Sequence, residues 1–169
     1  MGTVNVSYAT AASITIDLAN LASSGTFVSG RESNQIDNTS NKYMDCLVRG
    51  EISVGTTPTA NTAIAVYVWG SNVSLATTPI DTLDGVDSAE TLTNTGILNA
   101  LRWGASVAVP AATSDVAYEI LPFSVASRFG GVMPKFWGLY VTHSTGVNLR
   151  NNAVNTNGLE YVGITYTVA

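Results

Sequence analysis

The sequence predicts an all-β protein: a single-domain antiparallel β-sandwich (jelly roll) with long loops at residues 19–41 and 72–96. Three observations support this prediction. Apolar residues recur with a period of two, no stretch sustains the 3.6-residue period of a helix, and clusters of Gly, Pro, Asn and Ser separate the apolar runs. Because parallel βαβ folds need helices between their strands, a sandwich or barrel remains. The length of 169 residues fits one domain.

Each predicted strand has its own pattern. In residues 44–54, Met44 and Cys46 fall on one face and charged residues fall on the other, as in a half-buried strand. Residues 63–71 form a β-branched and aromatic run that is typical of a central strand. A helical turn is expected only within residues 123–131, where glycines end it. The predicted strands are residues 13–18, 44–54, 63–71, 97–109, 115–121, 135–143 and 159–168.

The alternation also predicts which residues are buried. Long connections are natural in a jelly roll, because its strands cross between two sheets. We therefore expect the loops 19–41 and 72–96 to lie outside the core and to contact partners. Cys46, the single cysteine, is expected to be a small buried residue. The predicted core includes Val66, Val68, Trp103, Leu139 and Ile164.

Charge and hydropathy exclude several classes of partner. Charged residues make up 11% of the chain, against about 25% in typical soluble domains. The net charge of −5 and the scattered basic residues argue against nucleic acid, since phosphate binding needs clustered Lys and Arg. No apolar run approaches the ~20 residues that span a bilayer, and the start of the chain lacks the pattern of a secretory signal. We expect a protein that stays in the cytosol or leaves the cell by lysis.

The sequence offers little for catalysis. His143 is the only histidine, and no Gly-x-Ser-x-Gly elbow or cysteine–histidine signature accompanies it. We expect His143 to be a surface or edge residue at the end of a strand, and the protein not to be an enzyme. A pair of carboxylates for glycoside hydrolysis need not be close in sequence, so that possibility stays open.

Metal and sugar sites are weakly indicated. The acidic residues of the 81–90 stretch are three apart, which departs from the ligand spacing of a calcium loop, and we expect a solvated acidic loop there. No metal and no cofactor is therefore predicted. Trp69, Trp103 and Trp137 offer a sugar platform, but each lies in an alternating strand, which favours core packing.

The chain resembles a known family over residues 26–168. The resemblance rests in the first half on SGRESNQIDNTSNKYMDCLVRGEISVGTTPTANTAIAVYVWGS and in the second on SVASRFGGVMPKFWGLYVTHSTGVNL and YVGITYTV. Its most specific element is the Pro-Lys-x-Trp-Gly strand with the Thr-Gly turn. These stretches are similar to the capsid decoration proteins of tailed bacteriophages, also called cement or head-stabilisation proteins, of the jelly-roll type.

The resemblance implies a structural virion protein, made in the host cytoplasm, that binds the outer surface of an assembled capsid. Its partner would be the major capsid protein, whose neighbouring subunits it would cement. A homo-oligomer is also expected, a trimer in preference to a dimer, because icosahedral shells offer such axes. The alternative function is a virion adhesin, a glycan-binding β-sandwich module on the capsid or tail.

Two segments are expected to touch the capsid. Residues 1–12 form an N-terminal arm that precedes a decoration domain at 13–169, and this arm is apolar enough to order on a partner. The 19–41 loop carries an aromatic anchor and a guanidinium, both favoured at interfaces. An internal ion pair of the arginine with Asp37 or Asp45 is the open alternative, as is capping of the core by the phenylalanine. The predicted capsid contacts are Val4, Val6, Tyr8, Phe27 and Arg31.

Overall fold

Two antiparallel sheets build the protein, in a computed structural model that describes residues 2–150 and 158–168. The predicted all-β sandwich is confirmed. The elements are β1 (Val4–Tyr8), β2 (Ala12–Ser13), β3 (Ser29–Glu32), β4 (Ile36–Asp37), α1 (Asn38–Asn41), β5 (Asp45–Ser53), β6 (Thr62–Ser71), β7 (Ser88–Thr91), α2 (Thr95–Ala100), β8 (Arg102–Val109), β9 (Ala117–Ser124), α3 (Val125–Arg128), β10 (Phe136–His143) and β11 (Leu159–Val168).

The strands divide into a five-stranded and a six-stranded sheet. The first has the order β1-β11-β5-β9, with β2 also paired to β11. The second has the order β7-β3-β10-β6-β8, with β4 also paired to β10. The chain passes repeatedly from one sheet to the other.

A main core fills the space between the sheets. Aliphatic side chains from β5 and β11 meet those of β6 and β10, and Cys46 is buried among them as predicted. Of the five core residues predicted from the sequence, Val66, Val68, Leu139 and Ile164 are buried. The alternation in β6 and β10 therefore identified correctly which side chains face the main core, whereas Ile164 is buried on the other face of β11.

Trp103 was assigned to the core wrongly, for a local reason. Its strand β8 has a bulge opposite Val66 and Tyr67, where Val66 pairs with Ala105 and Tyr67 with Trp103. The additional residue, Gly104, reverses the face taken by the preceding side chain, Trp103, relative to the regular alternation of residues 105–109. Trp103 therefore lies beside Tyr67 on the outer face and is 49% exposed.

The two long loops are not outside the core, contrary to prediction. Residues 72–101 cover the outer face of the six-stranded sheet and build a second core upon it, and Leu21 of the other loop is buried in the main core. These segments also contain β3, β4, β7 and two short helices that were not predicted, since β3 (SGRE) and β7 (SAET) have no alternating large apolar residues. The second core contains Ala65, Tyr67, Trp69, Leu75, Leu83, Leu92, Leu101 and Tyr140.

Two other segments differ from the predicted strands. Residues 14–18 have no strand beyond Ser13, although Ile14 and Leu18 are buried. Residues 97–100 belong to α2, whose start is capped by the Asn94 side chain accepting the Gly96 N–H. Only the second part of the predicted 97–109 strand is extended. The helical turn expected within 123–131 is present as α3.

Glu32 of β3 links the six-stranded sheet to residues 72–101, which are called the covering segment from here on. The side chain is fully buried, and its two carboxylate oxygens accept the backbone N–H groups of Asp84 at 2.9 Å and Gly85 at 3.0 Å. Burial raises the pKa of Glu32 to about 8, although these two hydrogen bonds act in the opposite direction. The neighbouring carboxylates of Asp84 and Glu90 also contribute to this increase in the pKa. Glu32 is therefore an ionisable anchor for the covering segment.

Glu32→Gln tests this anchor. Because folding raises the pKa of Glu32 from 4.5 to about 8, the folded state binds the proton more tightly than the unfolded chain does. The contribution of this proton to stability is full below pH 4.5 and is lost as the pH rises through 8. In urea titrations, the unfolding free energy of the wild type should therefore fall relative to that of Glu32→Gln from about pH 5 to about pH 9. A difference that stays constant, or that changes in the opposite direction, would contradict the assignment.

Candidate functional site

The N-terminal strand and the end of β11 form a two-stranded ribbon at the edge of the five-stranded sheet. The strands are antiparallel, with Val4 opposite Val168, Val6 opposite Tyr166, and Tyr8 opposite Ile164. Directly opposed residues lie on the same face of a sheet. The ribbon therefore has one apolar face, on which Val4, Val6, Tyr8, Tyr166 and Val168 are exposed by 63, 53, 64, 55 and 77%.

The opposite face of the ribbon is polar and holds Asn5, Ser7, Thr165 and Thr167. Neither face of the ribbon carries a charged residue. The sequences VNVSY and TYTV alternate with a period of two and are rich in residues that favour strands, which explains why they pair. Every residue of β1 is exposed, so this strand buries no side chain in either core.

The size of the apolar face indicates an interaction site. Five aliphatic and aromatic side chains with these exposures present on the order of 500 Å² of apolar surface. The largest apolar patch on a monomeric protein is typically of this size and is often functional. A partner that covers the ribbon would displace water from apolar atoms without desolvating any charge.

The structure brings three of the five predicted contact residues together, since Val4, Val6 and Tyr8 share the ribbon face. It adds Tyr166 and Val168, which the sequence analysis missed. The alternation at the end of the 159–168 strand carries their signal, but the sequence analysis assigned no capsid contact to that strand. Only its first part faces the main core.

Arg31 and Phe27 lie elsewhere and have partners within the chain. The Arg31 Nε donates to the Asp87 carboxylate at 2.6 Å, and its Nη2 donates to the Asp87 carbonyl at 3.2 Å. This hydrogen bond raises the pKa of Arg31 further, against the opposing effect of burial. An internal pair is thus formed, with Asp87 in place of Asp37 or Asp45. Phe27 is half-buried against the second core.

The acidic stretch is not simply solvated, contrary to expectation. Asp87 pairs with Arg31, and Asp84 accepts the Val86 N–H at 3.0 Å. Asp81 accepts the hydroxyl of Thr93 at 2.5 Å, and hydrogen bonds from Thr93 and Asn94 lower the pKa of this carboxyl. These carboxylates hold turns of the covering segment together. Within residues 2–150 and 158–168, no three His, Cys, Asp or Glu side chains are grouped as metal ligands.

His143 is fully buried, so its assignment to the surface or to an edge was wrong. It ends β10, which lies between β3 and β6 in the six-stranded sheet. One ring nitrogen, Nε2, lies 3.0 Å from the Leu21 carbonyl oxygen, and Nδ1 lies 2.9 Å from the Thr145 hydroxyl. The Leu21 contact requires a proton on Nε2, because a carbonyl can only accept. His143 thus fastens two loops to the end of the main core, and burial lowers its pKa.

Trp103 forms a second exposed aromatic feature. Its ring meets that of Tyr67 edge-on, with centroids 5.1 Å apart and an interplanar angle of 87°. β8 is an edge strand, and the covering segment leaves this Trp half-exposed. By contrast, Trp69 and Trp137 are buried, as the sequence analysis favoured.

Comparison of the chain with family models, curated proteins and solved structures found no match. The resemblance to capsid decoration proteins therefore stays an expectation drawn from the sequence. Among the described helices, none is long and apolar enough to cross a lipid bilayer.

His143→Ala should destabilise the fold by about 2–4 kcal/mol, since it leaves a cavity and two polar groups without partners. Because folding lowers the pKa of His143, its contribution is full above about pH 6.5 and is lost as the pH falls. Denaturant titrations should show that the destabilisation caused by His143→Ala shrinks as the pH falls below 6.5. Unchanged stability at neutral pH, or a larger effect in acid, would disprove this structural role.

Proposed function

We propose that this protein is a structural virion protein that binds the outer surface of an assembled bacteriophage capsid and cements neighbouring subunits of the major capsid protein. The observation that carries the proposal is the exposed, uncharged apolar face of the β1–β11 ribbon. It lies on the N-terminal segment for which the sequence predicts capsid contact. The sequence resemblance supports the same function.

The rest of the architecture suits this task. Two cores hold the sheets rigidly, and the ribbon is already ordered by its ladder, so little conformational entropy is lost when a partner covers it. A protein that binds only the assembled shell stabilises that shell by mass action. Contacts that are weak one at a time add through effective concentration when many copies bind one lattice.

Self-association is part of the proposal. Closed symmetry is the usual form of soluble oligomers, and a shell offers two-fold and three-fold axes at which copies meet. The low content of charged residues favours such contacts, because little charge has to be desolvated.

Binding to capsids tests the ribbon face directly. The variant Val4→Thr/Val6→Thr/Tyr8→Thr removes apolar surface but keeps residues that favour strands, so β1 should still pair with β11. We expect it to bind assembled empty capsids at least tenfold more weakly than the wild type, about 1.4 kcal/mol, in co-sedimentation. The control Asn5→Thr/Ser7→Thr changes the polar face of the same strand and should bind normally.

Unassembled capsid protein serves as the second control, and we expect no binding to it. If both ribbon variants bind assembled capsids as tightly as the wild type, the capsid contact lies elsewhere on the protein. Absence of wild-type binding to assembled capsids would refute the proposed function itself.

The alternative function, glycan binding by a virion adhesin, is favoured by one observation. Trp103 is half-exposed and is fixed by its edge-on contact with Tyr67, which leaves part of a flat aromatic surface open to solvent. A pre-ordered Trp loses little side-chain entropy when a ligand stacks on it.

Trp103→Ala distinguishes the two functions. If glycan binding is the function, this variant should bind purified host-surface glycans at least tenfold more weakly, while Leu121→Ala, which truncates another exposed apolar side chain, should bind them normally. If the cement function holds, wild-type protein should bind capsids and not these glycans.

A further inference from the structure

The ribbon has a second surface besides its apolar face, namely the open backbone edge of β1. The Ala9 N–H donates to the Gly163 carbonyl at 2.8 Å, immediately after the β1 ladder. Hydrogen bonding alternates along an antiparallel pair, so Ser7 and Asn5 also bond to β11. The N–H and C=O groups of Val4, Val6 and Tyr8 consequently point away from β11, toward the open edge. In the described part of the chain, these three residues have no hydrogen bond outside the ladder.

This edge lacks the features that normally prevent strand pairing. Exposed edges in native proteins are protected by prolines, charges, bulges or short strands. The other strands that end the described sheets have such features: β9 carries Glu119 and Pro122, β8 has its bulge next to Arg102, and β7 is four residues long with Glu90. β1 is regular, uncharged and free of proline. The open edge of β1 is therefore suited to pairing with another β-strand.

We propose that β1 pairs antiparallel with β1 of a second copy of this chain, about a two-fold axis at Val6. In this register Val6 faces its own counterpart, and Val4 faces Tyr8 of the second copy. Every outward-pointing residue then meets another outward-pointing residue, so each of these pairs exchanges two backbone hydrogen bonds. A shift by one residue would set outward-pointing groups against inward-pointing ones and lose the ladder.

The side chains agree with this register. Opposed residues share a face, so the apolar face of one ribbon continues into that of the other. No charged residue lies in β1, so two copies with a net charge of −5 each do not bring like charges together at the contact. The five-stranded sheet becomes one sheet across two molecules. The pairing uses the backbone edge and leaves the apolar face free, so it does not depend on the proposed capsid contact.

The size of the contact sets its strength. Pairing of two five-residue strands buries less than the roughly 1,600 Å² of a standard interface, which indicates a dimer that dissociates at about micromolar concentrations. A two-fold axis accommodates two copies, so this contact gives a dimer in place of the trimer favoured by the sequence analysis.

Charged substitutions at Val6 test the position of the two-fold axis, because in the proposed register Val6 of one copy faces Val6 of the other. Val6→Lys and Val6→Glu each place like charges opposite each other, and each should be monomeric, with a mass near 17.6 kDa, in sedimentation equilibrium over the micromolar range. An equimolar mixture should recover the dimer of the wild type. Asn5→Lys is the matched control: it adds a charge to the same strand but does not face its own copy, and it should remain dimeric.

Val6→Pro provides an independent test. Proline removes the N–H at the open edge, whereas the ladder to β11 does not use this N–H, so the variant should keep its far-UV spectrum and melting temperature and lose the dimer. A wild type that is monomeric throughout, a trimer, or a dimer that persists in Val6→Lys, Val6→Glu and Val6→Pro would each overturn the proposal. These measurements contain no capsid, so their failure leaves the capsid-binding assay as a separate test of the proposed function.

Discussion

The six-stranded sheet has to be covered on both faces, and most of the structure follows from this constraint. β6 and β10 are buried over nearly their whole length, on even and odd positions alike. The five-stranded sheet covers one face, and residues 72–101 cover the other. A strand buried on both faces reads as a continuous apolar run, which matches residues 63–71 and 135–143. The covering segment is thus as necessary to the fold as the second sheet.

Polar groups that are buried by this arrangement hold the coverings in place. Glu32 accepts two backbone N–H groups of the covering segment, and His143 contacts a carbonyl and a hydroxyl from two loops. A buried polar group without partners would cost about 1–3 kcal/mol, so each of these contacts also selects one arrangement of the loops. The only histidine of the chain is thereby a structural element, and its buried neutral form ties stability to pH on the acid side.

The sequence predicted the elements whose patterns are local and missed those that depend on distant partners. The long strands and four of the five core residues followed from alternation. Trp103 failed because a bulge at Gly104 changes the face, which a period-two pattern cannot reveal. Polar β3 and β7 are strands because they pair with neighbours, and Arg31 meets Asp87 only because those two strands are adjacent. At the ribbon, the N-terminal half was predicted from its composition, whereas its partner in β11 was not.

The ribbon extends the five-stranded sheet beyond the cores. In β11, Leu159 and Tyr161 pack on the main core, whereas Tyr166 and Val168 lie past its end, on the opposite face of the strand and without a covering layer. An apolar face that serves no internal packing lowers solubility, and the chain has few charges nearby to offset this. Such a face is understandable if another molecule covers it. The apolar side chains of β1 project from one face of the sheet, whereas its free backbone groups point outward in the plane of the sheet. The same strand therefore presents two separate surfaces. One strand can therefore pair with a copy through its edge and meet a different partner through its face.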